Sequence, residues 1–255
     1  IARLREDGTL DRERAVSIIN PCDRNAVEAA LQIREKIGGS ITAISMGPPK
    51  AEDALREALA MGVDEAILLC DRKLAGSDTL ATSYALAKAI EKVRCYDLII
   101  CGVEASDGNT GQVGPEIAER LGIHQATYAQ RLEINGDSIE ISRVFENGYV
   151  RLKIALPALV TVNGTANQPR NTTFAGIIGA MRKPVQLWSA TQIGADERRV
   201  GIAGSPTKIK SVHKALAERS RQLIDGGTAD AVVEKLLTRL IRDNVELVDP
   251  DGKRI

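Results

Sequence analysis

One feature constrains this chain more than any other: short runs that are apolar at nearly every position alternate with helices that are apolar on one face only. The runs at 41–46, 65–70 and 97–101 are too short for buried helices and lack the polar alternation of a half-exposed strand. Strands of that kind are covered on both faces, which is the condition of a parallel sheet. Between them, 23–36 places Ala26, Ala29, Ala30, Ile33 and Ile37 at three- and four-residue spacing, and Gly38-Gly39 stops it. Helices are also expected over 51–61, ended by Gly62, over 79–93, capped by Asp78, and over 111–121, ended by Gly122. The fold class is α/β, with a doubly wound, mostly parallel sheet.

Residues 1–19 offer a polar hairpin around Asp7-Gly8 and a stub at 16–19, so a first strand is expected upstream of Ile1. Asn135-Gly136 and Asn147-Gly148 separate runs at 128–134, 138–145 and 149–156, which predicts an antiparallel hairpin extension. The run 158–162 returns as a buried strand. Beyond Asn163 the periodicity falls away, which divides the chain into an α/β domain over 1–163 and an extended C-terminal arm over 164–255. The arm has one helical stretch at 173–181, a connector at 190–201 and a closing helix at 230–242. That last helix sets Val233, Leu236, Leu237 and Leu240 on one face and needs a surface to lie on.

Composition narrows the chemistry. Lys and Arg total 34, as do Asp and Glu, so no net field holds nucleic acid. No apolar run approaches the length of a membrane span. The charged opening IARLREDG has no signal-peptide character, which points to a cytoplasmic setting. The four cysteines form no C-x-x-C, and the two histidines have no ligand cluster around them, so metal and His-based catalysis are not expected. Redox chemistry would therefore need a bound organic cofactor.

In an open parallel sheet, ligands sit beyond the carboxyl ends of the strands. The segment after the strand at 97–101 is suited to that: Gly102, Glu104, Ala105, Asp107, Gly108, Asn109, Thr110, Gly111 and Gln112, then Val113 in the next helix. Glycines admit a ligand close to backbone, and N–H groups at a helix start attract phosphate. Asn20 and Met46 end on the same edge. There is no G-x-G-x-x-G and no Walker A, so the loop reads equally as an ordinary glycine-rich turn.

Longer runs carry more. S-I-I-N-P-x-D-x-N-A-V-E-A-A-L (17–31), S-M-G-P-P-K-A-E-D-A-L-R-E-A-L-A-M-G-V-D-E-A-I-L-L (45–69), A-G-S-D-T-L-A-T-S-Y-A-L-A (75–87) and D-G-N-T-G-Q-V-G-P (107–115) resemble the beta subunit of electron transfer flavoprotein, as do N-Q-P-R (167–170) and A-G-S-P-T (203–207). The resemblance implies a heterodimer whose alpha subunit holds an electron-carrying FAD and is wrapped by the C-terminal arm. It also implies a nucleotide in this chain: AMP in conventional members, a second FAD in the electron-bifurcating type. The two-flavin loop resembles D-G-D-T-A-Q-V-G-P, matched here except at Asn109 and Gly111. Asp78, Thr79 and Thr82 suit that type as well. Around the hairpin, Arg143, Glu146, Gly148 and Pro157 follow the family signature while Asn147 and Val150 depart from it, as in a paralogue tied to one dehydrogenase.

By the same resemblance, Asn20, Pro21 and Cys22 contact nucleotide, where composition alone gives a helix cap. Met46 lies at the site or in the core. Arg170 anchors the subunit interface, and Val200, in a recognition loop at 190–201, anchors a partner dehydrogenase of the acyl-CoA or another flavin type. In the bifurcating reading NADH is the reductant and a low-potential acceptor such as ferredoxin takes one electron. No side chain is required as acid or base. A nucleotide-binding module without redox function is the reading from another class.

Overall fold

The computed structural model describes residues 18–106, 108–146, 148–208 and 223–243. The expected Asp7-Gly8 hairpin, Asp107 and Asn147 lie outside them. The chain divides into two compact units, 1–212 and 213–255. The first therefore continues past residue 163, the boundary expected from the sequence.

In the first unit, α1 (Pro21–Ile37), α2 (Glu52–Met61), α3 (Thr79–Val93) and α4 (Val113–Leu121) alternate with β1 (Thr42–Met46), β2 (Glu65–Leu69) and β3 (Leu98–Gly102). The strands β4 (His124–Ala129), β5 (Arg131–Asn135), β6 (Ser138–Phe145), β7 (Gly148–Ala155) and β8 (Ala158–Val162) follow, then α5 (Phe174–Arg182) and β9 (Val185–Trp188). Among the described residues the parallel strands form two sheets, ordered β1-β2-β9 and β3-β8-β4, and β5-β6-β7 is antiparallel.

Alternate strand residues go to opposite helical layers, which is the physical content of a doubly wound sheet. Ala66 and Leu68 pack with Leu55, Ala58 and Leu59 of α2, whereas Ile67 and Leu69 pack with Tyr84, Ala85 and Ala89 of α3. Likewise Val162 and Ile100 face α1, and Leu159 and Ile99 face Ile117 and Ala118 of α4. Ile44 of β1 and Leu86 of α3 pack against the buried clusters under both parallel sheets.

Three elements differ from the expectation. The run at 128–134 is split: β4 ends at Ala129 beside β8, and β5 starts the antiparallel sheet. As an edge strand, β4 (HQATYA) needs few apolar residues and so carries little sequence signal. Next, β9 adds a parallel edge to β2, pairing Ala66 with Val185 and Leu69 with Trp188. Last, the connector at 190–201 is built into the domain. Ala190, Ile193 and Val200 are buried with Leu69, Leu74 and Tyr84, Tyr84 Oη accepts a 3.0 Å bond from Asp196 N, and the Arg199 guanidinium lies 4.1 Å from the Tyr84 ring centroid. Val200 is only 2% exposed, so it is a core residue here and not an exposed anchor. Burial of such a side chain stabilises by about 1.5–3 kcal/mol.

In the second unit, α6 (Ala229–Arg242) is the expected closing helix, capped by Thr228 Oγ1, and Val233, Leu236, Leu237 and Ile241 are exposed on it.

Candidate functional site

The carboxyl end of β3 and the start of α1 are pressed together because Gly102 has no side chain: a Cβ there would lie 2.7 Å from Asp23 N and from the Cys22 carbonyl carbon. Gly102 N donates to Asp23 Oδ1 at 2.7 Å. Asn20 Nδ2 donates to Asp23 Oδ2 at 3.0 Å and to the Glu104 carbonyl at 2.8 Å. Asn20 therefore does not cap α1 through its side chain; it ties the start of that helix to the loop after β3. Burial pushes the Asp23 carboxyl up, and the two hydrogen bonds it accepts oppose that shift. Burial also pushes the Cys101 thiol up to about 12, with the charge of Asp23 adding to it, and burial raises Cys22, helped by Asp23 and Glu104. These cysteines remain thiols at neutral pH and supply no thiolate nucleophile.

The loop itself stands open. Ala105, Gly108, Asn109, Thr110 and Gln112 are exposed, and Asn109 N closes a turn onto the Ala105 carbonyl at 2.8 Å. Asn109 and Gly111 both adopt positive φ, 46° and 63°, which turns the chain sharply before α4. Gln112 precedes α4 without capping it. Two first-turn N–H groups, those of Val113 and Gly114, have no intrahelical acceptor, since Pro115 carries no N–H and Glu116 N already donates to the Gln112 carbonyl at 3.0 Å; they lie at the helix end with its partial positive charge. Beneath them Gly114 leaves no room for a side chain, since a Cβ there would lie 2.8 Å from Thr161 Cγ2 and 3.0 Å from Cys101 Sγ.

The start of α3 reaches this loop. Thr79 Oγ1 lies 3.1 Å from Gln112 Oε1 and 3.2 Å from Glu116 Oε1, and its single proton serves one of them at a time. Glu116 Oε2 is buried and has no partner among the described residues. Asp78 caps α3 through Ala81 N at 3.1 Å, and its other oxygen accepts from Thr207 N and Oγ1 at 3.0 and 2.8 Å. Its carboxylate is thus occupied within the chain. Thr82 is half-buried one turn into α3, and Met46 packs on the core cluster of Leu69 and Tyr84.

The strand end of β3, the sharp turn at Asn109 and Gly111 and the first N–H groups of α4 thus lie together at one end of the sheet. The chain matches a family model described as the electron transfer flavoprotein domain over residues 7–193. It belongs to the electron transfer flavoprotein family. The subunit beta of Thermoanaerobacterium thermosaccharolyticum is 48% identical over 235 residues, covering 91% of this chain and 90% of that one. A caffeyl-CoA reductase–Etf complex subunit, CarD, of Acetobacterium woodii is 40% identical over 234 residues, covering 91% and 89%. A protein named FixA of Azorhizobium caulinodans is 39% identical over 249 residues, covering 94% and 89%.

Within this member of the family, two expected partner contacts look different. Val200 is buried, as described above. Arg170 donates to Glu28 from Nε at 2.8 Å and Nη2 at 3.1 Å, and to Glu35 from Nη1 at 2.6 Å. Burial works to raise the Glu28 carboxyl, but the bonds from Arg170 outweigh it and hold Glu28 below its ordinary value; Arg170 is raised in turn. The guanidinium is committed inside the chain, pinning the 167–170 turn to α1. Exposed apolar side chains instead gather on α5, where Phe174 is 78% and Met181 76% exposed. Beside them a pocket of about 540 Å³ is lined by Arg56, Glu57, Ala60, Thr172, Ile177 and Met181 among others.

Three residues around the loop after β3 carry no sequence signal of their own. Asp23 sits inside a family run and Glu116 just past one, both as ordinary helix residues, and Tyr128 sits in a strand run. Among the described residues no cluster of His, Cys, Asp or Glu could hold a metal, and no helix is long and apolar enough to cross a membrane.

Proposed function

We propose that this chain is the beta subunit of a heterodimeric electron transfer flavoprotein and binds an adenine nucleotide through the loop 103–112 and the start of α4. The observation that carries it is the open, unpaired helix start reached by a loop with two left-handed residues, in a chain of this family. The residues fit a phosphate-bearing group: the donor set is the N–H groups of Val113 and Gly114 with the exposed hydroxyl of Thr110. The group favoured is FAD, because Asp107, Gly108, Thr110, Gln112, Val113 and Pro115 follow the two-flavin pattern and a CarD subunit is among the relatives. AMP in the same place is the alternative.

Bound there, a flavin supplies hydride acceptance from NADH and one-electron transfer onward. The chain's own work is positional. Gly102 and Asn20 hold the strand end and α1 together, the turn at Asn109 and Gly111 presents the N–H groups, and Thr79 fixes α3 against α4. The alpha subunit is the obligate partner, with the exposed face of α6 as one surface for it. The acceptor is a flavin dehydrogenase of the acyl-CoA type, and ferredoxin is the low-potential acceptor if electrons are bifurcated. With Val200 buried, Phe174, Ile177 and Met181 of α5 replace it as the apolar anchor for that dehydrogenase.

Co-purification with an alpha subunit and a count of bound nucleotide tests this. Two FAD per heterodimer, both reduced by NADH, is the expected result; one FAD and one AMP gives the conventional carrier. No adenine nucleotide bound to this chain would overturn the assignment of the loop.

A further inference from the structure

The edge strand β4 carries an irregularity that packing alone does not require. Its register against β8 runs His124 with Ala158, Gln125 with Leu159 and Ala126 with Val160, then shifts so that Ala129 meets Val162. Ala126 and Ala129 are both buried in one cluster with Ile139, Ile141 and Val160. In an unbroken strand the residue sharing the face of Ala126 would be Tyr128. The extra residue turns Tyr128 out of that face, and it does so at φ 59°, in the left-handed region that an aromatic side chain seldom occupies. The strand interruption is stabilised by a neighbour: Tyr128 N donates to Thr161 Oγ1 at 3.0 Å, and Thr161 is itself buried.

A glycine at this position would adopt the same backbone without strain, yet the chain carries a tyrosine whose side chain is half-exposed. Where it points gives the reason. A Cβ on Gly111 would lie 3.4 Å from Tyr128 Oη, so the phenol hydroxyl rests against the residue that leads into α4. That hydroxyl has no hydrogen-bond partner among the described residues. Bulges recur next to binding sites because they re-aim a side chain, and strained backbone persists where the surroundings enforce it for use.

We propose that Tyr128 is a ligand-contacting residue of the nucleotide site, its hydroxyl donating to the phosphate held at the start of α4. This rests on the nucleotide reading above and adds to it a side-chain donor from a different strand. It adds to the anion seat a side chain from β4, beside Gly111. The hydroxyl contributes a hydrogen bond to a charged acceptor, worth about a tenfold change in affinity.

The test uses the heterodimer after its native nucleotide has been dialysed out, titrated with ADP, which shares adenosine and phosphate with both AMP and FAD, and in parallel with adenosine. Tyr128→Phe keeps the ring and the strained backbone and removes only the donor. It is expected to weaken ADP about tenfold and to leave adenosine unchanged. Tyr128→Gly relieves the strain, and is expected to hold or raise the melting temperature while weakening ADP at least as much as Tyr128→Phe. Equal ADP affinity in wild type and Tyr128→Phe would overturn the role of the hydroxyl. Failure of wild type to take up ADP would overturn the site itself, and the two failures are distinguished by reading wild type first.

Discussion

Asp78 ties Thr207 of the arm to the start of α3, and its removal has a calculable effect. Asp78→Ala deletes the α3 cap through Ala81 N, worth about 1 kcal/mol, and the two bonds from Thr207 N and Oγ1. Hydrogen bonds to an ionised acceptor contribute about 1.5 kcal/mol each. Thr207 is exposed, so water replaces part of that, and a total near 2 kcal/mol is expected, about a thirtyfold change in local opening. Asp78→Asn keeps a capping oxygen and loses the acceptor for Thr207. Amide hydrogen exchange on the heterodimer separates the two. The alanine variant is expected to speed exchange at Ala81 and Thr207 alike, the asparagine variant at Thr207 alone. Burial acts to raise the Asp78 carboxyl, but the bonds from Thr207 and Ala81 prevail and its pKa is lowered. Its contribution is therefore complete at neutral pH and fades only as pH falls below about 4, through the depressed folded value. Unchanged exchange at Thr207 in Asp78→Ala would refute the fastening.

Phe174→Asp is expected to weaken transfer to the dehydrogenase at least tenfold at subsaturating partner with the melting temperature unchanged; titration following flavin reoxidation checks it. Val200→Asp should instead give an unstable protein, because it places a charge in the core, and soluble yield and thermal scans read that directly. Arg170→Ala leaves Glu28, 4% exposed, without its cation; a loss of about 3 kcal/mol is expected, seen as a fall of roughly 6–12 °C in Tm. Gly108→Ala is expected to be tolerated, since a Cβ there meets nothing closer than 3.9 Å. Gly111→Ala meets both a strained φ and the Tyr128 hydroxyl and should lower nucleotide content, measured by absorbance and mass spectrometry.

What rests on local periodicity is plain in the sequence. Helices α1 to α4 and strands β1 to β3 are legible because each carries its own apolar spacing and its own glycine stop or cap. The hairpin is legible from Asn135-Gly136. What is hidden depends on distant chain. β9 (VQLW) is too short to signal a strand, and it becomes one because β2, far upstream, offers an unpaired edge. Val200 looks like a surface residue at the end of a charged run, ERRV, until Tyr84 and Leu69 close over it. Within the candidate site, Asn20 and the glycine loop are visible as residue types at neighbouring ends of α1 and β3. The aim of Tyr128 is not, because a one-residue slip in an edge strand leaves no trace in composition.

The pairing of β2 with β9 also sets a schedule. The edge of β2 that β9 covers is complete early in synthesis, while its partner lies about 115 residues downstream, so at ribosomal speeds of about 5–20 residues per second the edge waits on the order of ten seconds. During that interval an apolar strand, AILL, shows unpaired N–H and C=O groups on one side. The nascent subunit is therefore most exposed to wrong pairing at this edge just before β9 emerges.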